Sequence, residues 1–109
     1  MARRNKYNAK ATVVDGIRFD SKGEAHHWCK LRMMEKSGLI RKLERQVRFP
    51  IVVDGQKVGR RAYVADFSYY TDKGRVVEDF KGFDTDMSKF KRELVKAIYG
   101  VEVEIVRAS

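Results

Sequence analysis

Along this chain the spacing of apolar positions switches between the two-residue period of strands and the 3.6-residue period of helices. "TVVDGIRF" (12–19) holds two short apolar runs around Asp15-Gly16. Both central positions of such a turn need positive φ, so the stretch predicts a hairpin. "SKGEAHHWCKLRMMEKSG" (21–38) reads as helix, with Ser21 as N-cap and Glu24 three residues on as its capping-box partner. Ala25, Trp28, Cys29 and Met33, joined by Leu31 and Met34, supply its apolar positions, and Gly38 is its stop. "QVRFPIVVDGQKVGRRAYVADFSYY" (46–70) predicts two strands around Asp54-Gly55. Pro50 within the first makes that strand an edge strand or a bulged one. "YVADFSYYTDKGRVVEDFKG" (63–82) adds a third strand. A second helix follows over residues 87–99, with a stripe of Phe90, Leu94, Ala97 and Ile98, Thr85 or Asp86 as cap and Gly100 as end. "VEVEIV" (101–106) alternates as a last strand. "VVDG" occurs twice, at 13–16 and 52–55, which two hairpin turns explain better than duplication. A final strand reached through a helix enters a sheet by a right-handed crossover. The fold class expected is therefore α/β, a mixed sheet with helices packed on it.

The central hairpin carries charge where charge is expensive. Asp66 lies with Val64 and Ser68 on one side of its strand, while Tyr63, Phe67 and Tyr69 point the other way. Both sides are apolar, so an acid there has to be paired, hydrogen-bonded or metal-bound. On the next strand Asp79 and Lys81 share a face with Val77, and Glu78 shares the opposite face with Val76 and Phe80. In an even register, a four-residue loop over Thr71 to Gly74 pairs Tyr70 with Arg75 and sets Asp66 opposite Asp79; a three-residue loop without a bulge would set Asp66 opposite Phe80 instead. Facing carboxylates destabilise a hairpin unless something neutralises them, and a divalent cation between them would. The plainer alternative is that Asp79 and Lys81 are solvated strand-end charges forming weak salt bridges.

Composition narrows the classes. The 109 residues suit a single domain, residues 11–109, after a basic arm, residues 1–10, bearing Arg3, Arg4, Lys6 and Lys10. One cysteine rules out an intrachain disulfide, and with two histidines there is no basis for a zinc cluster. "MARRNKYNAK" lacks the apolar stretch of a signal peptide, and no run of about 18 apolar residues exists to span a bilayer. A cytoplasmic setting is expected. The net charge of +9, from 24 Lys and Arg against 15 Asp and Glu, points to a polyanionic partner, with nucleic acid foremost.

Asp66, then Asp79-Phe80-Lys81 across a short hairpin, then a helix and a strand, resembles the core of the PD-(D/E)XK nuclease superfamily. "VVDGIRFDSKGEA", "YVADF" and "VVEDFKG", in that order, are also similar to a group of small phage and prophage proteins assigned to that superfamily, and the likeness covers nearly the whole chain. The resemblance implies a restriction-endonuclease-like α-β-β-β-α-β core preceded here by a hairpin. It implies catalytic residues Glu24, Asp66, Asp79 and Lys81, the three acids holding Mg²⁺, for which Mn²⁺ would substitute. Ala65 stands where the superfamily's name has proline, and the second acid is Asp rather than Glu. Glu78 offers an E-x-x-K alternative, but only Asp79 shares a face with Lys81. Glu24 retains its other reading as a helix cap, and His27, Trp28 and Lys22 are read as ordinary packing or surface residues. Asp84 and Asp86 are read as caps of the second helix. Arg3, Arg4, Lys6, Lys89, Lys91, Arg92 and Lys96 are the candidate DNA contacts, sequence-blind and salt-sensitive. The function expected is a Mg²⁺-dependent DNA endonuclease in phage or prophage DNA metabolism, a Holliday-junction-resolvase-like homodimer acting on branched DNA. A catalytically inactive DNA-binding protein of the same fold is the alternative.

Overall fold

The computed structural model describes residues 11–107. The predicted arm, with Arg3, Arg4 and Lys6, lies outside the described residues. Strands β1 (Thr12–Val14) and β2 (Ile17–Phe19) form the expected hairpin as a separate two-stranded sheet. Its turn residues Asp15 and Gly16 take φ of 53° and 75°, the left-handed pair such a turn requires. Helix α1 (Lys22–Lys36) follows, then β3 (Arg41–Val53), β4 (Gln56–Thr71), β5 (Gly74–Lys81), α2 (Asp86–Tyr99) and β6 (Val103–Arg107). The larger sheet runs β3-β4-β5-β6, antiparallel except for the parallel pair β5-β6. The protein is thus a mixed α/β domain with a four-stranded mixed sheet, two helices and an N-terminal hairpin.

Two apolar clusters hold it together. Phe19, Ala25, Trp28, Leu31, Ile40, Phe67 and Tyr69 form one; Phe49, Tyr63, Ala65, Val77 and Val95 form the other. Val76 packs against the first and Val77 belongs to the second. Consecutive strand residues point to opposite faces, so α1 and α2 cover opposite sides of β5. Alternation alone would keep Tyr63, Ala65, Phe67 and Tyr69 together. They divide instead between Ala65 and Phe67, on either side of Asp66, across from which Gln46 interrupts β3 with a φ of 52°.

Three expectations need correction. The predicted stripe on α2 does not face the sheet: Val95 is the buried residue of this helix, while Phe90 is 54% exposed. Of the apolar positions predicted on α1, Ala25, Trp28 and Leu31 are buried, but Met33 is exposed. Strand β3 begins at Arg41, ahead of the predicted Gln46. Pro50 behaves as anticipated. Its strand is at the sheet edge, and the register shifts between Pro50 and Val52.

Candidate active site

The site grows out of the β4–β5 register. Tyr70 pairs with Arg75, as the even register requires, and Thr71 pairs with Gly74 around a turn of Asp72 and Lys73. The last ladder pair at the other end is Phe67 with Glu78. One step beyond stand Asp66 and Asp79, and here carboxylates replace carbonyls as backbone acceptors. The Asp66 N–H donates to Asp79 Oδ1 at 2.7 Å, and the Phe80 N–H donates to Asp66 Oδ2 at 2.9 Å. Gln46 Nε2 approaches Asp66 Oδ1 at 3.4 Å, and Lys81 Nζ lies 3.7 Å from Asp79 Oδ2. The mutual repulsion expected of two facing acids is offset by these donors, since a carboxylate gains from every N–H aimed at it. Burial still outweighs them. It pushes both carboxyls above the ordinary range, against the Phe80 amide and Lys81 for Asp66, and the Asp66 amide and Lys81 for Asp79.

Glu24 comes to the same end of the sheet from the first turn of α1. Its N–H donates to Ser21 Oγ at 3.1 Å, which is the backbone half of the predicted capping box. The Glu24 residue is only 8% exposed. Burial first, then the negative charges of Asp66 and Asp20, raise its pKa from 4.5 to about 7, with Arg45 opposing and Asp79 adding. Glu78 belongs elsewhere. Its Oε1 lies 2.9 Å from His27 Nε2, and its Oε2 accepts from Tyr69 Oη at 2.7 Å. Burial would raise its pKa, but the His27 and Tyr69 bonds prevail and lower it. Of the two adjacent acids, Asp79 is therefore the one that meets Asp66.

Three contributors escaped the sequence reading. Asp20 acts on Glu24 and Asp66 through charge; Gln46 reaches Asp66 from β3; Arg45 acts on Glu24 and lies over the rings of Phe19 (4.7 Å) and Trp28 (5.8 Å). Nothing local marks Gln46, because its partner is 20 residues away. Among the described residues, no group of three or more His, Cys, Asp or Glu side chains is gathered closely enough to hold a metal ion as it stands. One oxygen of each aspartate faces a backbone amide; Asp66 Oδ1 and Asp79 Oδ2 are the oxygens left outside those bonds.

The predicted DNA contacts on α2 divide. Lys89 and Lys96 are exposed, and Lys91 is half-buried. Lys96 makes only a loose exposed pair with Glu102 at 3.7 Å. Arg92 is engaged within the protein, which corrects its assignment to a phosphate. It grips both oxygens of Asp84 and also donates to Ser88 Oγ at 2.9 Å. Asp84 is accordingly no cap. Thr85 Oγ1 caps α2 by accepting from the Ser88 N–H at 3.1 Å.

Residues 4–108 match the sequence model of one family. The chain belongs to DUF1064, described as a protein family of unknown function. No curated protein and no solved structure matches it. No helix of the family member described here is long and apolar enough, within the described residues, to cross a membrane.

Proposed function

We propose that this DUF1064 protein is a Mg²⁺-dependent DNA endonuclease with a restriction-endonuclease-like core, acting on branched DNA as a homodimer in phage or prophage DNA metabolism. The observation that carries the reading is the meeting of Glu24, Asp66 and Asp79 at one end of the sheet, with the Lys81 ammonium 3.7 Å from Asp79. Burial raises the pKa of all three acids, and the charges of Asp66 and Asp79 raise that of Glu24 further, a recurrent mark of functional sites. The donor set is all oxygen, as Mg²⁺ prefers, and each aspartate keeps one oxygen clear of the main-chain bonds. Bound there, Mg²⁺ would supply an activated water and neutralise charge at the phosphate. The residues have distinct tasks. Glu24, Asp66 and Asp79 would hold the ion, and the hairpin amides fix the aspartate rotamers. Lys81, a compact point charge, would orient the attacking water and offset phosphate charge. The net charge of +9 favours the polyanion, and Lys89, Lys91 and Lys96 remain as backbone contacts. Exposed Met87 and Phe90 on α2 offer apolar surface for a second copy.

The test incubates the protein with four-way, flapped, supercoiled and linear DNA, in Mn²⁺ or Mg²⁺ and in EDTA. Cutting should require the metal and disappear in Asp66→Asn, Asp79→Asn and Lys81→Ala. Asparagine keeps an amide acceptor, so the first two lose charge without orphaning the bonded N–H groups. Activity surviving all three substitutions overturns the assignment. The second reading, a catalytically silent DNA-binding protein, is favoured by the same amide bonds, which satisfy both aspartates without a cation. Salt-sensitive binding with no cleavage in either metal would select it.

A further inference from the structure

The β3–β4 hairpin extends past both apolar clusters. No cluster member lies beyond Phe49 on β3 or before Tyr63 on β4, and residues 53–61 are exposed without exception. Two backbone devices shape this tip. Asp54 and Gly55, with φ of 48° and 77°, close the turn between the Val53–Gln56 pair. The register then slips. Val52 pairs with Lys57 and Pro50 with Ala62, so residues 58–61 of β4 stand opposite Ile51 alone. Gly59, with a φ of 58°, lets the strand make this excursion. Arg48 Nη2 donates to the Arg60 carbonyl at 2.7 Å and braces the bulge from the partner strand.

The charges presented there are one-sided. Lys57, Arg60 and Arg61 are exposed with Arg48 beside them, and Asp54 is the one acid of the tip. Among the described residues, no carboxylate forms an ion pair with Lys57, Arg60 or Arg61. From the Pro50–Ala62 pair to the turn the ribbon spans four residues, roughly 14 Å at strand rise. A B-form major groove is about 12 Å wide and 8.5 Å deep and admits a two-stranded ribbon. We infer that the β3–β4 tip is a nucleic-acid-binding wing that enters the major groove of duplex DNA, with Lys57, Arg60 and Arg61 on the flanking phosphates. It rests on DNA being the partner but not on cleavage. The bulge leaves the consecutive Arg60 and Arg61 exposed beside Lys57 at the edge of the ribbon.

The experiment measures binding of full-length protein to a blunt B-form duplex by fluorescence anisotropy, in EDTA, across a salt series. The triple variant Lys57→Ala, Arg60→Ala, Arg61→Ala should bind at least tenfold more weakly at low salt. Its salt slope should be shallower by about 2 to 3, since each phosphate contact contributes about 0.9. Its circular dichroism and Tm should match the parent, because these side chains stabilise nothing inside. Double-stranded RNA, whose major groove is too deep and narrow for a ribbon, should bind parent and variant alike. Methylation of guanine N7 should weaken parent binding, whereas a minor-groove ligand should not compete. Unchanged affinity and slope in the variant, or competition by the minor-groove ligand, overturns the wing. Tip-dependent duplex binding, with no cutting of four-way, flapped, supercoiled or linear DNA in Mg²⁺ or Mn²⁺, would leave the wing standing and end the nuclease reading. No DNA binding by the parent ends both.

Discussion

Gly23 sets how closely α1 approaches the sheet. A Cβ at this position would stand 2.5 and 2.8 Å from ring carbons of Phe80, inside any real contact distance. Gly23→Ala should therefore destabilise the protein by about 1 to 3 kcal/mol through overpacking. Adding Phe80→Leu should recover part of that loss in a denaturant titration, which a purely helical-propensity effect would not allow. The next residue, Glu24, yields a pH prediction. Its folded pKa, about 7, lies above its unfolded 4.5, so the folded state holds the proton more tightly. For this group, stability is full below the unfolded value and falls as pH rises from there through about 7. Glu24→Gln should remove that decline. In EDTA its unfolding free energy should exceed the parent's near pH 8, by at most on the order of 3 kcal/mol, and the gap should close near pH 5. At this scale Asp79 and Lys81 were legible because alternation assigns strand residues to faces, and Asp66 because the Tyr70–Arg75 register sets it against Asp79 although alternation breaks around it. Arg92 was not, since its bond to Asp84 depends on how the loop before α2 folds back.

Elements were easier to read than their orientation. Both short turns and both helix ends announced themselves: Gly38 and Gly100 follow α1 and α2 with φ of 85° and 68°. Which side of α2 meets the sheet was hidden. Apolar residues at 87, 90, 94, 95, 97, 98 and 99 run around more than half the helix, so periodicity supplies several stripes and no preference among them. Packing chose the one through Val95, which is fully buried. Val95→Ala should cost about 2 kcal/mol, and Phe90→Ala about half a kcal/mol or less. A reversed order in chemical denaturation would restore the stripe read from sequence. The register slip at residues 58–61 was equally hidden, because an "Arg-Arg" after glycine has no strand period to break.

For the whole molecule, burial of Glu24, Asp66 and Asp79 disfavours their charged forms beyond what Lys81 and Arg45 offset. Mn²⁺ or Mg²⁺ should therefore raise the Tm of the parent by several degrees above neutral pH, through preferential binding to the folded chain. Asp79→Asn should abolish most of that rise while leaving the metal-free Tm near the parent's or higher. Equal shifts in both proteins would show that the ion binds elsewhere. The overall order of strands and helices was visible in the sequence because each connection is short and each period clear. The convergence of Glu24 with the aspartates was visible only by likeness, since no spacing rule links a helix start to residues more than forty positions away. The exchange of main-chain bonds at the end of β4 and β5 also bears on inheritance. Two amides there depend on acidic side chains as other rungs depend on carbonyls, so a descendant that had abandoned catalysis would still be penalised for dropping either acid. Such residues can outlive the reaction they once served. Lys81 fastens no backbone group, and its loss or retention in related chains is the more telling trace of activity.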